Sequence, residues 1–180
     1  HALNEVDAQA SPLLVKHLFT HTSGLTYGFM NTNVVDAQYR EQGLEFPGKP
    51  DNLAQWVEQL ASVPLICQPG SQWNYSVATD VLGRLVEVWS GQELAVFFRE
   101  RIFGPLGMTD TAFAVAPEQQ QRFAALYAPL SGGDLSSVGR KSSPTVDEPR
   151  GGLKLMESSL KSGYFKQPKL CSGGGGLTGS

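Results

Sequence analysis

The sequence is poor in the residues that build metal clusters and disulfide frameworks: its 180 residues include two cysteines and three histidines. Cys67 and Cys171 cannot staple a scaffold between them, and they are expected as two free, mostly buried thiols, with one bridge as the other arrangement. Positive charge is scarce too. Against 17 Asp and Glu stand 14 Lys and Arg, for a net charge of −3 and a pI near 5.6, which gives no basic footprint for nucleic acid. No apolar run is long enough to cross a bilayer, and the first residues show no signal-peptide pattern. His1 is not an initiator residue, so the chain is expected to start partway through a longer protein, with any export signal upstream. The glycine run Gly173-Gly174-Gly175-Gly176 lacks the Lys-Ser/Thr of a phosphate loop. No cofactor is expected. What remains is a composition with 41% hydrophobic residues and a mean hydropathy of −0.18, which suits one soluble globular domain or part of a larger one.

The most informative stretch is Pro69-Gly70-Ser71-Gln72-Trp73-Asn74-Tyr75-Ser76-Val77-Ala78-Thr79-Asp80. A Pro-Gly turn leads through two aromatics into Val77, Val81, Leu82, Leu85, Val88 and Trp89, which recur at helical spacing. The spacing predicts a helix that begins just after Tyr75, with Ser76 as N-cap, Asp80 in the first turn and Gly91 beyond the end. Tyr75 is thereby held at the mouth of a helix. A free tyrosine has a pKa of roughly 10 and is a poor base at neutral pH. It becomes useful where nearby cations and helix amides favour the phenolate, or where it relays a proton. From the residues alone, Tyr75 is either such a group or an interfacial aromatic with a satisfied hydroxyl.

Around this stretch the pattern is mostly helical. Ser11 to His21 reads as a short helix with Pro12 at its first position and Leu14, Leu18 and Val15 on the buried side. His17 and His21 have the spacing of a zinc pair, but Leu18 stands where a zincin carries glutamate, so no metal is expected and His21 reads as a helix-end histidine bonding the following turn. Thr26 to Pro50 reads as a loop-rich excursion carrying Tyr27, Phe29, Tyr39 and Phe46, either a cleft wall or a satellite hydrophobic cluster. Asp51 or Asn52 caps a helix whose Leu53, Trp56, Val57 and Leu60 form a core-facing stripe. Gln92 to Ile102 is a further amphipathic helix, ended by Gly104-Pro105-Leu106-Gly107. Ser131 to Pro149 is Gly/Ser/Pro-rich and reads as a mobile surface loop.

Four stretches in order carry a family resemblance: Val15-Lys16-His17-Leu18-Phe19-Thr20-His21-Thr22-Ser23-Gly24-Leu25, then Pro69-Gly70-x-x-Trp73-x-Tyr75-Ser76, then Phe103-Gly104-Pro105-Leu106-Gly107-Met108-Thr109-Asp110-Thr111, then Gly173-Gly174-Gly175-Gly176-Leu177. Together they resemble the serine β-lactamase and penicillin-binding-protein superfamily, in its class C-like branch and closest to the family VIII carboxylesterases. The resemblance implies an α+β fold, of which this chain is a central, mostly helical portion lacking the N- and C-terminal parts of the α/β domain. It implies residues 1–130 as a helical segment with cleft-lining loops, 131–169 as a polar loop region, and 170–180 as a glycine-rich return towards the α/β domain. Bacterial cytoplasm and periplasm are both compatible with it.

The same resemblance implies a serine hydrolase that forms an acyl-enzyme, with Tyr75 catalytic and Ser76, Val77, Trp73 and Tyr27 binding substrate. The family's nucleophile sits in Ser-x-x-Lys, where the lysine one turn later eases removal of the serine proton. Ser158-Ser159-Leu160-Lys161 has that spelling, but it follows Tyr75 instead of preceding it and lies in a polar, poorly periodic segment, so it reads as a decoy. The nucleophile, the oxyanion amides and the third motif are therefore expected outside these residues. β-Lactamases and peptidases usually show Tyr-x-Asn, and Val77 takes the third position here, which favours esters over lactams as the small-molecule substrate. β-Lactamase or peptidase activity, or a non-catalytic binding module, are the alternatives. The resemblance also implies apolar surface left exposed on one face of the helical unit.

Overall fold

The structure, a computed structural model, describes residues 6–46, 48–129 and 152–180. Among the described residues five helices precede two strands: α1 (Val15–Phe19), α2 (Val34–Gln42), α3 (Leu53–Leu60), α4 (Ala78–Ser90), α5 (Leu94–Phe98), β1 (Leu126–Pro129) and β2 (Leu153–Glu157), with short 3₁₀ turns between. Chain packing groups the residues up to 113 with 168–180 in one compact unit, and 114–167 in a second. The fold is thus α+β, helices with a small sheet.

In the first unit α4 is the hub, packed against α1, α3 and α5. Its stripe delivers Val77, Ala78, Val81, Leu82 and Leu85 to a core shared with Leu18, Leu25, Leu53, Trp56, Leu60 and Leu94. Gly91 ends α4 in the left-handed region at φ 68, as a C-terminal glycine does without strain. α3 starts where the side chain of Asn52 accepts the amide of Gln55 at 2.9 Å. Trp56 is fully buried and donates from Nε1 to the Leu44 carbonyl at 2.9 Å. The exposed apolar side chains of this unit include Phe19, Trp73, Val88 and Trp89, the last two side by side near the end of α4.

In the second unit β1 and β2 pair antiparallel, with a register shift between Leu126 and Tyr127. Phe123 packs its ring against Tyr164 and Phe165, at centroid distances of 6.0 and 5.4 Å. Within 131–169, the described part therefore holds a strand and a 3₁₀ turn at Gly163–Phe165. The predicted mobile loop at 131–149 lies outside the described residues.

Four helix expectations need correction. α1 spans five residues, not eleven, and Leu14 and Val15 are exposed, because Leu14 is extended (φ −104, ψ 154) and its amide is taken by Nδ1 of His17 at 3.1 Å. Ser76 is not the N-cap of α4. Val77 is, and the Ser76 hydroxyl accepts the Ala78 amide at 3.4 Å from one residue further out. The stretch 92–102 is helical only from Leu94, whose amide is held by Glu87 at 3.1 Å, and it loosens into a π turn over Arg99–Phe103.

The fourth correction is α2, inside the stretch read as loop. Asn33 and Asp36 form a reciprocal capping box at its start, and Gly43 ends it at φ 69. Asp36 does more than cap. Its buried carboxyl accepts from the Thr26 hydroxyl (2.7 Å), the Thr32 amide (2.7 Å) and hydroxyl (2.9 Å) and the Asn33 amide (3.3 Å). Replacing Asp36 with alanine leaves the buried Thr26 hydroxyl without its acceptor, and should cost about 2–3 kcal/mol. Urea unfolding of the full protein measures this, and a loss below about 0.5 kcal/mol would show the network to be dispensable.

Candidate active site

The mouth of α4 is built by lacing two segments together. Gly70 turns at φ 85 and donates to the Thr22 carbonyl at 2.7 Å. The Asn74 amide reaches the His21 carbonyl at 2.8 Å, its side chain reaches the Leu25 carbonyl at 2.9 Å, and the Val77 amide meets the Thr26 carbonyl at 3.3 Å. Residues 70–77 are therefore tied to 21–26 at both ends and in the middle. Tyr75 cannot move without breaking several of these bonds.

His21 adopts φ 52, a left-handed conformation uncommon in a residue bearing a Cβ. Its ring does not bond the following turn, as the sequence suggests, but swings across to the Ser76 hydroxyl at 3.3 Å. From there it packs against Tyr75 with a centroid distance of 5.3 Å and against the edge of Trp73 at 6.2 Å. On its other side, Tyr75 meets Tyr27 at 5.1 Å, and Tyr27 is itself stacked on Phe29 at 4.7 Å. Tyr75 is thus held between an imidazole and a second phenol.

Burial pushes the Tyr27 phenol up, with the nearby Asp80 charge and a hydrogen bond to Tyr75 adding to the rise. It therefore stays protonated and has an O–H to offer the Tyr75 oxygen. The structure sets Tyr75 and Trp73 against His21 and packs Tyr27 on the Tyr75 ring. Trp73 is 66% exposed, whereas Ser76 and Val77 are at 0% and 1%. Those two lie beneath the aromatics, Ser76 as partner to His21 and Val77 in the core.

Two other motifs stand apart. The Ser158 hydroxyl accepts the amides of Leu160 (3.1 Å) and Lys161 (3.3 Å) in a turn, so no helix sets Lys161 beside it. His17 holds the Leu14 amide, and among the described residues no three His, Cys, Asp or Glu side chains converge to hold a metal ion. Both cysteines are free and half-buried, and burial beside Glu87 and Glu93 pushes the Cys171 thiol up to about 11. Among the described residues no helix is long and apolar enough to cross a membrane.

The model of the Beta-lactamase family matches residues 3–178. Esterase EstB of Burkholderia gladioli is 35% identical over 174 residues, covering 95% of this chain and 42% of that protein. The lovastatin esterase of Penicillium rubens is 34% identical over 133 residues, covering 74% of this chain and 32% of that protein. In structure, a LovD6 mutant of simvastatin synthase from Aspergillus terreus superposes with a TM-score of 0.63 at 28% identity, covering 96% of this chain and 34% of that one. The chain spans about a third to two fifths of the length of the curated relatives it matches.

Proposed function

The chain belongs to the Beta-lactamase family, a fold family of serine hydrolases with esterase and acyltransferase relatives, and from it we propose that the parent protein is a carboxylesterase acting on short-chain esters through an acyl-enzyme. The observation that carries this reading is the setting of Tyr75, a phenol at a helix mouth with a protonated phenol donor on one side and an imidazole on the other.

In this reading a serine from another part of the parent protein attacks the ester carbonyl, and a lysine together with Tyr75 takes its proton. The tetrahedral intermediate collapses, the alcohol leaves with that proton, and water then attacks the acyl-serine by the reverse relay. Tyr27 serves by packing its ring against Tyr75 and so holding the phenol in place. Trp73 offers exposed aromatic surface to an acyl or alcohol group. A buried Val77 presents a ligand with neither a donor nor a surface, in keeping with an ester and not with a lactam that needs an amide clasp.

The full protein should hydrolyse p-nitrophenyl acetate or butyrate at least about a hundredfold faster, in kcat/KM, than a chromogenic cephalosporin. Equal or faster cephalosporin cleavage would replace the esterase reading with a lactamase one, and no turnover of either would leave a binding module. The acyltransferase relatives favour a second reading, in which an alcohol and not water takes the acyl group. Adding a primary alcohol to the same assay decides it by whether a new ester forms.

A further inference from the structure

Asp80 lies in the first turn of α4 and is 1% exposed. It carries more than a helix-terminal charge. Its Oδ1 accepts from the Ser172 hydroxyl and from the Gly174 amide at 3.1 Å, both more than ninety residues away along the chain. Its Oδ2 is buried with no hydrogen-bond partner.

The segment it holds fits closely. A Cβ on Gly173 would fall 2.4 Å from the Thr79 carbonyl, and one on Gly83 would fall 3.2 Å from the Gly173 Cα, so α4 and the glycine run touch backbone to backbone. A Cβ on Gly174 would meet Asp80 Oδ2 at 3.1 Å and the Tyr27 hydroxyl at 3.4 Å. Gly174 therefore sits directly over both groups, and Tyr27 in turn packs on Tyr75. One carboxyl, one glycine turn and two phenols form a continuous stack.

We propose that Asp80 is a positioning residue, which clamps the turn 172–174 onto the start of α4 and so fixes the height of the Tyr27 hydroxyl beneath Tyr75. Its effect on turnover rests on the esterase reading; the clamp itself does not. The long-range bonds are made by Oδ1, while Oδ2 is buried without a hydrogen-bond partner. Burial pushes this carboxyl up, against the lowering exerted by the Ser172 hydroxyl and the amides of Gly174, Asp80 and Gly173. A neutral amide is then a fair substitute, because asparagine keeps an acceptor oxygen in the Oδ1 place.

The test compares Asp80→Ala, Asp80→Asn and Ser172→Ala in the full protein, by p-nitrophenyl ester kinetics and by hydrogen exchange of the 172–174 amides. In Asp80→Ala, kcat should fall by about thirtyfold with KM moving less than about threefold, since misplaced groups slow the chemistry more than they weaken binding. Exchange at Gly174 should quicken by at least about tenfold in the same variant. Asp80→Asn should keep both within about threefold of the unaltered protein. Ser172→Ala leaves α4 untouched but removes a donor to Asp80 and also the Ser172 Oγ that accepts the Gly174 amide at 3.1 Å. In this variant the clamp is therefore read at the Gly173 amide, whose exchange should quicken even if Asp80→Ala does not fold. Unchanged exchange in Ser172→Ala and Asp80→Ala would overturn the clamp. Equal loss of kcat in Asp80→Asn and Asp80→Ala would also overturn it, by making charge and not position the contribution. A protein without ester turnover would sink the esterase reading, while exchange at Gly174 would still decide the clamp.

Discussion

Replacing Tyr75 with phenylalanine in the full protein is expected to lower ester turnover by about a hundredfold to ten-thousandfold, the range over which a positioned acid or base acts. The loss should appear in kcat and in kcat/KM alike, because the proton is needed in the transition state and not for binding. Stability should hardly change. The phenylalanine ring keeps its packing against His21 and Tyr27, and the lacing of residues 70–77 against 21–26 uses backbone and Asn74 groups that the substitution does not touch. What is lost is one hydroxyl at a half-buried site, a change of about 1 kcal/mol or less. Stopped assays with a p-nitrophenyl ester and a thermal melt measure the two quantities. Turnover equal to that of the unaltered protein would remove Tyr75 from the chemistry.

Trp56→Ala should show the opposite signature. The side chain is fully buried, packs on Phe46 at 5.1 Å and bonds the Leu44 carbonyl at the point where the chain leaves α2. Its removal opens a large cavity and strips a buried carbonyl of its donor, for a loss of about 3–5 kcal/mol. Against a total of roughly 5–15 kcal/mol for a folded domain, that brings unfolding close to ambient conditions. Trp56→Phe, which refills most of the volume but not the hydrogen bond, should lose about 1–2 kcal/mol. Denaturant midpoints rank the two variants. A Trp56→Ala protein as stable as the original would mean that α2 and α3 are not joined through this residue.

These two residues also mark what the sequence made legible. α3 and α4 carry long apolar stripes bounded by Asn52 and Gly91, and both stand close to where periodicity places them. α2 is harder to see, because its nine residues are mostly polar and its buried side chains, Val35, Asp36 and Tyr39, include a carboxyl. The available signal was the Asn33-x-x-Asp36 box with Gly43 after it, a pattern of caps and not of apolar residues. At the other extreme, Ser11 to Leu14 looks helical in composition yet forms no helix, and Leu14 is extended, with its amide taken by the His17 side chain in place of a preceding turn. The candidate site was half legible. Family likeness picked out Tyr75, Tyr27 and Trp73, of which Tyr27 packs on Tyr75 while Trp73 reaches it only by way of His21. The swing of His21 to Ser76 spans 55 residues and the reach of Asp80 to Gly174 spans 94, and no local pattern encodes contacts of that separation.

The backbone contact between Gly83 and Gly173 bears on how the protein is made. Helix α4 can wind and collect its local partners as soon as it emerges from the ribosome, but Ser172 and Gly174 are synthesised several seconds later, at roughly 5–20 residues per second. Until then Asp80 has only water to bond, and the seat beneath Tyr27 is open. Closing a loop of that length comes late in folding, since the entropy of closure must be met before the contact returns anything. The nascent chain thus completes its scaffold before its site, and a ribosome that stalls before residue 174 should hold a helical α3–α4 pair in which Tyr75 is already laced in place while the Tyr27 hydroxyl still lacks the turn that covers it.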